Sequence, residues 1–345
     1  MLTKIVDNDK INKLKTYIGK GDKIVIVSHE LPDGDAIGSS LGLYHYLMSF
    51  DKKLIKVIMP NSFPEFLKWM PGANDIVLFD QYPDFATQLI SDADVLFCLD
   101  FNAVKRVGKM ASAVIASDAR KVMIDHHLDP EDFCKIVISH PEMSSTSELV
   151  FRVICALGDV DMIEKDAAEC FYTGMMTDTG SFSYNSNNAE IYVIVSELIK
   201  KGIDKDEIFR MVNQVYSENR LRLMGYVLCE KMRIYTDKNA ALFTLRQNEL
   251  NRFKYKAGDT ESFVNLPLSI NGVYFSVFLR EETNLIKVSL RSIGEFPCNK
   301  FAALYFNGGG HKNASGGEFH GTLDEAVKVF EEGLLQFNPN NFEKY

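Results

Sequence analysis

The feature that most restricts the fold of this chain is a series of short apolar runs, each stopping at an acidic or imidazole side chain. Lys23 to Ser28 stops at His29, Val95 to Leu99 at Asp100, and Val122 to Ile124 at Asp125, His126 and His127. A short apolar run with little polar alternation reads as a strand covered on both faces. Between the runs lie segments with helical spacing, such as Ile37, Leu41, Tyr44 and Leu47 within 36–48. Strand candidates at 54–59 and 135–139, and helix candidates at 147–157 and 165–173, continue the alternation. The expected class is therefore α/β, with a mostly parallel sheet flanked by helices. In open sheets of this kind ligands bind outside the carboxyl ends of the strands, where these polar residues would emerge. Hydrophobic packing needs none of them.

From 188 to about 235 the pattern turns helical, with candidate helices at 203–215 and 218–233. Beyond 240 it changes again: 240–245, 272–279 and 285–291 are β-rich, and 324–337 closes as an amphipathic helix. We expect a first α/β domain over 1–200, a helical linker over 201–235, and a second, smaller α/β domain over 236–345. A chain of 345 residues has room for two cores.

Composition excludes several classes. No run of about 18 apolar residues is present, which argues against a membrane span. Residues 1–9 are too polar for a secretory signal, so a cytoplasmic protein is expected. Cys98, Cys134, Cys155, Cys170, Cys229 and Cys298 are scattered, with no C-x-x-C pair. They read as small buried hydrophobes in a reducing compartment, and a cysteine-held zinc is not expected. The net charge of -9 argues against a broad basic surface for long nucleic acid. It leaves room for a small phosphorylated ligand, since bound cations reverse the local sign.

Four pieces point to a metal site. His29-Glu30-Leu31-Pro32-Asp33-Gly34-Asp35 follows one strand and precedes a helix. Two carboxylates this close repel unless a cation neutralises them, although Asp35 could equally cap a helix beginning at Ala36. Asp100 leaves the second strand, and Asp125, His126 and His127 leave the third. Asp178 lies in Thr177-Asp178-Thr179-Gly180, a loop expected after a helix ending near Met176. Together His29, Asp33, Asp35, Asp100, His126 and Asp178 supply two imidazoles and four carboxylates. An oxygen-rich set with some nitrogen and no sulfur suits Mn²⁺. Six ligands exceed the need of one open catalytic ion, and two ions sharing a carboxylate would use them all. The chemistry expected is metal-assisted phosphoester hydrolysis.

In the second domain Asn307-Gly308-Gly309-Gly310-His311-Lys312 reads as a loop. Its glycines would allow close backbone approach and leave N–H groups for phosphate oxygens. On the strand 287–292, Lys287, Ser289 and Arg291 share one face, and Arg291 could hold a phosphate bidentately.

These motifs resemble the DHH phosphoesterases that carry a DHH-associated C-terminal domain. The matching residues are His29-x-x-Pro32-Asp33-Gly34-Asp35-Ala36-x-Gly38-Ser39, Asp100, Asp125-His126-His127, Thr177-Asp178-Thr179-Gly180 and Gly308-Gly309-Gly310-His311-x-x-Ala314-x-Gly316. Within that family the chain is most similar to the stand-alone NrnA-type oligoribonucleases (nanoRNases), which also dephosphorylate 3′-phosphoadenosine 5′-phosphate (pAp). The resemblance implies two Mn²⁺ ions, with Mg²⁺ or Co²⁺ as substitutes in vitro. It implies that His29, Asp33 and Asp100 hold one ion, and that Asp35, Asp100, His126 and Asp178 hold the other. Asp125 would orient its neighbours and His127 would act over the scissile phosphate. Arg291, Gly308, Gly309, Gly310 and His311 would bind the substrate's other phosphate or terminal nucleotide. It further implies 3′-to-5′ release of nucleoside 5′-monophosphates from short oligonucleotides, no long duplex or membrane partner, and a homodimer. Many relatives carry an Arg where this chain has Ser183, which leaves the preferred substrate open. Two alternatives stand beside this reading: a cyclic dinucleotide phosphodiesterase and a non-catalytic nucleotide-binding regulator.

Overall fold

A computed structural model describes residues 5–214 and 216–339. The chain divides into two compact units, Met1–Val215 and Tyr216–Tyr345. In the first, the order is α1 (Asn8–Lys20), β1 (Lys23–Val27), α2 (Gly34–Leu47), β2 (Leu54–Met59), β3 (Val77–Leu78), α3 (Pro83–Ser91), β4 (Val95–Leu99), α4 (Ala111–Ala116), β5 (Arg120–Asp125), β6 (Ile136–Ser139), α5 (Thr146–Leu157), α6 (Lys165–Asp178), α7 (Ala189–Lys200) and α8 (Lys205–Asn213).

The six strands form one sheet in the order β3-β2-β1-β4-β5-β6, and every pairing is parallel. Side chains alternate between its faces. Ile24, Ile26, Val95, Phe97, Leu99, Val122 and Ile124 enter a core with α1, α2, α5 and α6. Val25, Val27, Leu96, Cys98 and Met123 enter the opposite core with α3 and α4. Both faces are dry, which is why the strands read as unbroken apolar runs. Phe97, fully buried at the middle of β4, contributes about 1.5–3 kcal/mol by that burial. From β1 the chain order runs outward one way through β2 and β3, and the other way through β4, β5 and β6. β1 and β4 therefore flank the point where the winding reverses, the place where such sheets bind ligands. Asp100 and His126 directly follow β4 and β5, and His29 stands two residues after β1.

The second unit contains α9 (Glu218–Tyr226), β7 (Arg233–Tyr235), β8 (Ala240–Leu245), α10 (Gln247–Arg252), β9 (Phe275–Glu281), β10 (Ile286–Ser292), α11 (Cys298–Tyr305), β11 (Gly309–His311), β12 (Ala314–Phe319) and α12 (Leu323–Gln336). Its sheet runs β11-β12-β10-β9-β8-β7, antiparallel except between β8 and β9. Phe275, Val277, Val288 and Leu290 pack with Phe301 of α11 and Phe330 of α12. Phe243 and Phe278 point the other way, against Leu223 of α9 and Phe263. Among the described residues no helix is long and apolar enough to cross a membrane.

The structure corrects several local expectations. The helix expected over 203–215 begins at Lys205, because Asp204 caps it by accepting from the N–H groups of Asp206 and Glu207. Val215 lies outside the described residues. The helix expected over 218–233 ends at Tyr226. A widened turn follows at 227–231, and 233–235 then pairs with β8, because adding an edge strand satisfies its backbone. The glycine-rich segment is not a loop. Gly309–His311 pairs with Ala314–Gly316 as a short hairpin at the sheet edge.

Candidate active site

Asp33 opens the site by capping α2. Its Oδ1 accepts from the N–H groups of Asp35 and Ala36, both at 3.0 Å. The cap is thus Asp33, two residues earlier than the Asp35 reading, because the turn at Pro32 lets the helix start at Gly34. Asp35 is released from capping and buried at 2% exposure. It accepts instead from the start of α5: Thr146 N–H at 2.6 Å and Ser147 N–H at 2.9 Å. Positive charge at a helix N-terminus stabilises a carboxylate placed there.

Asp100 is the common member of the constellation. Its backbone has φ +63, a left-handed conformation that strains a residue with a Cβ. Its Oδ2 lies 3.3 Å from His29 Nε2 and its Oδ1 lies 3.7 Å from His126 Nε2. His29 Nε2 is also 3.9 Å from Asp33 Oδ1, and His126 Nε2 is 3.5 Å from Asp178 Oδ2. Ligand atoms of His29, Asp33 and Asp100 fall within 4.8 Å of one another, as do those of Asp35, Asp100 and His126. Five of the six residues expected to bind metal fall in these two groups, which share Asp100, and Asp178 reaches the second through His126.

Asp178 arrives from a different direction. It is the last residue of α6, which runs two residues past the end expected near Met176. The Thr177 and Thr179 hydroxyls donate to carbonyls one turn back, those of Thr173 and Met175. Gly174 lets α6 come close. A Cβ there would lie 2.0 Å from Ser147 Oγ and 3.0 Å from Asp35 Oδ1. After Asp178, Gly180, Ser181 and Phe182 take φ values of 54, 59 and 62 in succession, a strained turn that ends in exposed Ser183.

The electrostatics are those of a site crowded with acids. Burial by itself would lower the histidine pKa values. For His29 the hydrogen bond to Asp100 and the charges of Asp33 and Asp100 outweigh it, and the pKa rises to about 9. For His126 the charges of Asp178, Asp100 and Asp35 do the same, again to about 9. Burial and the charges of Asp100 and Asp178 push Asp35 well above the usual carboxylate range. Burial would also raise Asp100, but the hydrogen bond from His29 and the nearby imidazoles hold it low. Desolvation, with the charges of Asp33 and Asp100, lifts Asp178 to about 7 against the pull of His126. Without cations this cluster retains protons, because oxygen donors outnumber positive groups. Divalent cations would be a chemically matched replacement for those protons.

His127 borders this set, with Nδ1 3.8 Å from Asp100 Oδ1, and is oriented by Asp125. Asp125 Oδ1 meets His127 Nδ1 at 2.7 Å, and Oδ2 accepts from the His127 N–H at 3.1 Å. Such a carboxylate fixes the ring's tautomer and orientation. The exposed members are Asp33, whose side chain is 59% accessible, and Asp178 at 31%.

In the second unit, Arg291 and His311 both pair with Ala314, one from each side of β12, and so share a face of the sheet. Ser289 follows on that face beside Gly316 and Gly309. Small residues leave a shallow floor between the basic groups. The glycines divide their work differently from expectation. A Cβ at Gly308 would meet Gly316 O at 2.1 Å and one at Gly310 would meet Ala314 O at 2.7 Å, so the hairpin itself demands both. A Cβ at Gly309 would meet nothing within 4 Å, which leaves this position open to a ligand.

Sequence reasoning passed over Ser144 to Glu148. Ser145 caps α5, and Glu148 Oε2 accepts from the Ser144 N–H and hydroxyl at 2.9 and 2.6 Å. The available signal was S-x-x-E, the sequence mark of a helix start.

Residues 23–175 match the DHH family, N-terminal domain, and residues 238–335 match the DHHA1 domain. The chain is similar to the bifunctional oligoribonuclease and PAP phosphatase NrnA of Thermus thermophilus, with 32% identity over 317 residues, 91% of this chain and 89% of that one. It is similar to the cyclic-di-AMP phosphodiesterase GdpP of Bacillus subtilis at 24% identity, over 94% of this chain but 49% of that protein. A crystal structure of an exopolyphosphatase-related protein from Bacteroides fragilis matches with a TM-score of 0.95 and 62% identity, covering 98% of this chain and 99% of that one.

Proposed function

The chain belongs to the DHH family of phosphoesterases, and from that membership we propose that it hydrolyses short oligonucleotides from the 3′ end and removes the 3′-phosphate of pAp, using two Mn²⁺ ions. The observation that carries this reading is Asp100, with one oxygen toward His29 and the other toward His126. His29, Asp33 and Asp100 would hold one cation, and Asp35, Asp100, His126 and Asp178 the other. Bound there, the cations would supply an activated water and neutralise charge on the phosphoryl oxygens.

The protein's own groups do the rest. Asp125 occupies Nδ1 of His127, which assigns proton transfer to Nε2. The two substrates share one requirement. Releasing a 5′-mononucleotide and releasing the 3′-phosphate of pAp both break a P–O3′ bond and leave a 3′-hydroxyl. A single acid aimed at O3′ therefore serves both. Arg291 and His311, with Gly309 between strands, would take the substrate's other phosphate. Ser183 offers a hydroxyl where many relatives carry a guanidinium, so that phosphate contact would fall to other groups.

Hydrolysis of cyclic dinucleotides is less favoured, because the cyclic-di-AMP phosphodiesterase is less similar, at 24% identity. The division at 1–200, 201–235 and 236–345 is part of the proposal, as is a homodimer, which light scattering would test. A cytoplasmic location is supported by six cysteines with no disulfide among them. The functional test is a turnover panel with Mn²⁺: di- to pentaribonucleotides, pAp, cyclic di-AMP and pyrophosphate. Turnover of the first two classes, lost in Asp100→Asn, is expected. Cyclic di-AMP as the best substrate would overturn the assignment.

A further inference from the structure

We propose that Thr146 is a positioning residue that holds Asp100 in the orientation needed to serve both cations. The proposal rests on the two-ion reading above and concerns a residue outside the expected ligand set. Thr146 is fully buried at the first turn of α5 and touches two acids at once. Its hydroxyl donates to Asp100 Oδ1 at 2.9 Å, and its N–H donates to Asp35 Oδ2 at 2.6 Å. The next N–H, of Ser147, takes the other oxygen of Asp35 at 2.9 Å.

The geometry at Asp100 gives the hydroxyl a specific task. A carboxylate shared by two cations must offer one oxygen to each. Rotation about its Cβ–Cγ bond would instead let both oxygens turn toward one ion. Asp100 Oδ2 faces His29 at 3.3 Å, whereas Oδ1 faces His126 at 3.7 Å, beyond hydrogen-bond reach. Thr146 Oγ is the close donor on the Oδ1 side, so the hydroxyl holds the carboxylate open toward the His126 group.

The turn that carries Thr146 is built to stay still. Ser145 Oγ accepts from the Glu148 N–H at 3.0 Å, and Glu148 in turn holds Ser144. Glu148 Oε1 also accepts from Arg152 Nε and Nη2 at 2.8 and 2.7 Å, and Arg152 Nη1 reaches Glu190 at 2.7 Å. As a β-branched residue Thr146 is restricted at χ1, which narrows the directions its hydroxyl can take.

Three variants test this. Thr146→Val keeps the shape and removes the hydroxyl, Thr146→Ser keeps the hydroxyl, and Thr146→Ala lacks both hydroxyl and methyl. Mn²⁺ binding to the apoprotein is measured by calorimetry, alongside kinetics at increasing Mn²⁺. Groups that orient metal ligands typically affect metal affinity by about 10–100-fold. For Thr146→Val we expect a loss in that range for one of two ions, a higher Mn²⁺ requirement, and an unchanged KM once Mn²⁺ saturates. Thr146→Ser should restore the affinity. Wild-type affinity and stoichiometry in Thr146→Val would overturn the proposal alone. A wild-type protein that binds no Mn²⁺ would overturn the two-ion reading and the proposal with it. If Thr146→Val does not fold by circular dichroism, the Ser and Ala variants decide: weak binding in Ala alone supports the role, and equal binding in both refutes it.

Discussion

Replacing Gly174 by Ala should cost stability and metal affinity together, although alanine is the better helix former. In an unobstructed helix the change would gain about 1 kcal/mol. Here the added methyl would sit 2.0 Å from Ser147 Oγ, 2.8 Å from Ser147 Cβ and 3.0 Å from Asp35 Oδ1. Ordinary contact needs about 3.5–4.0 Å. Turning Ser147 about Cα–Cβ relieves the Oγ clash, but its Cβ at 2.8 Å still forces Ser147 or α6 to retreat by about 0.7 Å. Ser147 is fixed by its N–H bond to Asp35, so we expect α6 to move and carry Asp178 with it. Forcing an extra methyl into a packed core typically costs about 1–3 kcal/mol. Net of the propensity gain, the expected loss is about 0–2 kcal/mol, or up to roughly 8 °C in Tm for a unit of this size. Calorimetric melting with and without Mn²⁺ would read both effects, with a smaller Mn²⁺-induced rise in Tm for the variant. A companion isolates the cause. Ser147→Gly removes the obstructing Oγ and Cβ while keeping the Ser147 N–H bond to Asp35. The double variant should recover Mn²⁺ binding lost in Gly174→Ala. A single variant more stable than wild type, with an unchanged Mn²⁺ response, would refute the packing argument.

Other expectations follow from the same geometry. His29 and His126, raised to about 9, and Asp178, raised to about 7, hold more protons folded than unfolded. The stability they give the metal-free protein is therefore complete at low pH. The Asp178 share is lost as pH rises toward 7, and the histidine share as pH rises from about 6.5 through 9. Apoprotein Tm should fall over that range while the Mn²⁺-loaded form falls less, and Mn²⁺ binding should release protons, seen as a buffer-dependent enthalpy. A rising apoprotein Tm between pH 6.5 and 9 would contradict the protonation scheme. Asp125→Asn should lower kcat by about 10²–10⁴-fold through loss of the His127 tautomer, with Mn²⁺ binding largely kept. Equal loss of both would mean Asp125 serves the cations instead. Arg291→Ala should raise KM for pAp more than it lowers kcat. The reverse pattern would move Arg291 to the transition state.

Much of the first unit was legible because β1, β4 and β5 are buried on both faces and end at polar residues that packing does not require. His29, Asp100 and His126 stood out as candidate ligands for the same reason, each standing where an apolar run stops. Features decided by distant partners were not legible. Asp33 and Asp35 look alike in sequence. Only the α5 N–H groups, 111 and 112 positions away from Asp35, decide that Asp35 is drawn inward while Asp33 caps. The glycine-rich segment became a strand because its partner lies just beyond it, at 314–316, and a glycine triplet carries no β signal of its own. The helix expected to run on to Arg233 yields to an edge strand for a similar reason, since pairing with β8 outweighs local preference. Thr146 sits in a readable helix-start pattern, but its bond to Asp100 spans 46 residues and leaves no local trace.

The most direct measurement is a crystal of the protein grown or soaked with Mn²⁺, examined at the manganese absorption edge. Two anomalous peaks roughly 3.5–4 Å apart, one on each side of the Asp100 carboxylate, are predicted. A single peak, or peaks that Asp100 does not touch, would contradict a shared-carboxylate centre at the end of β4.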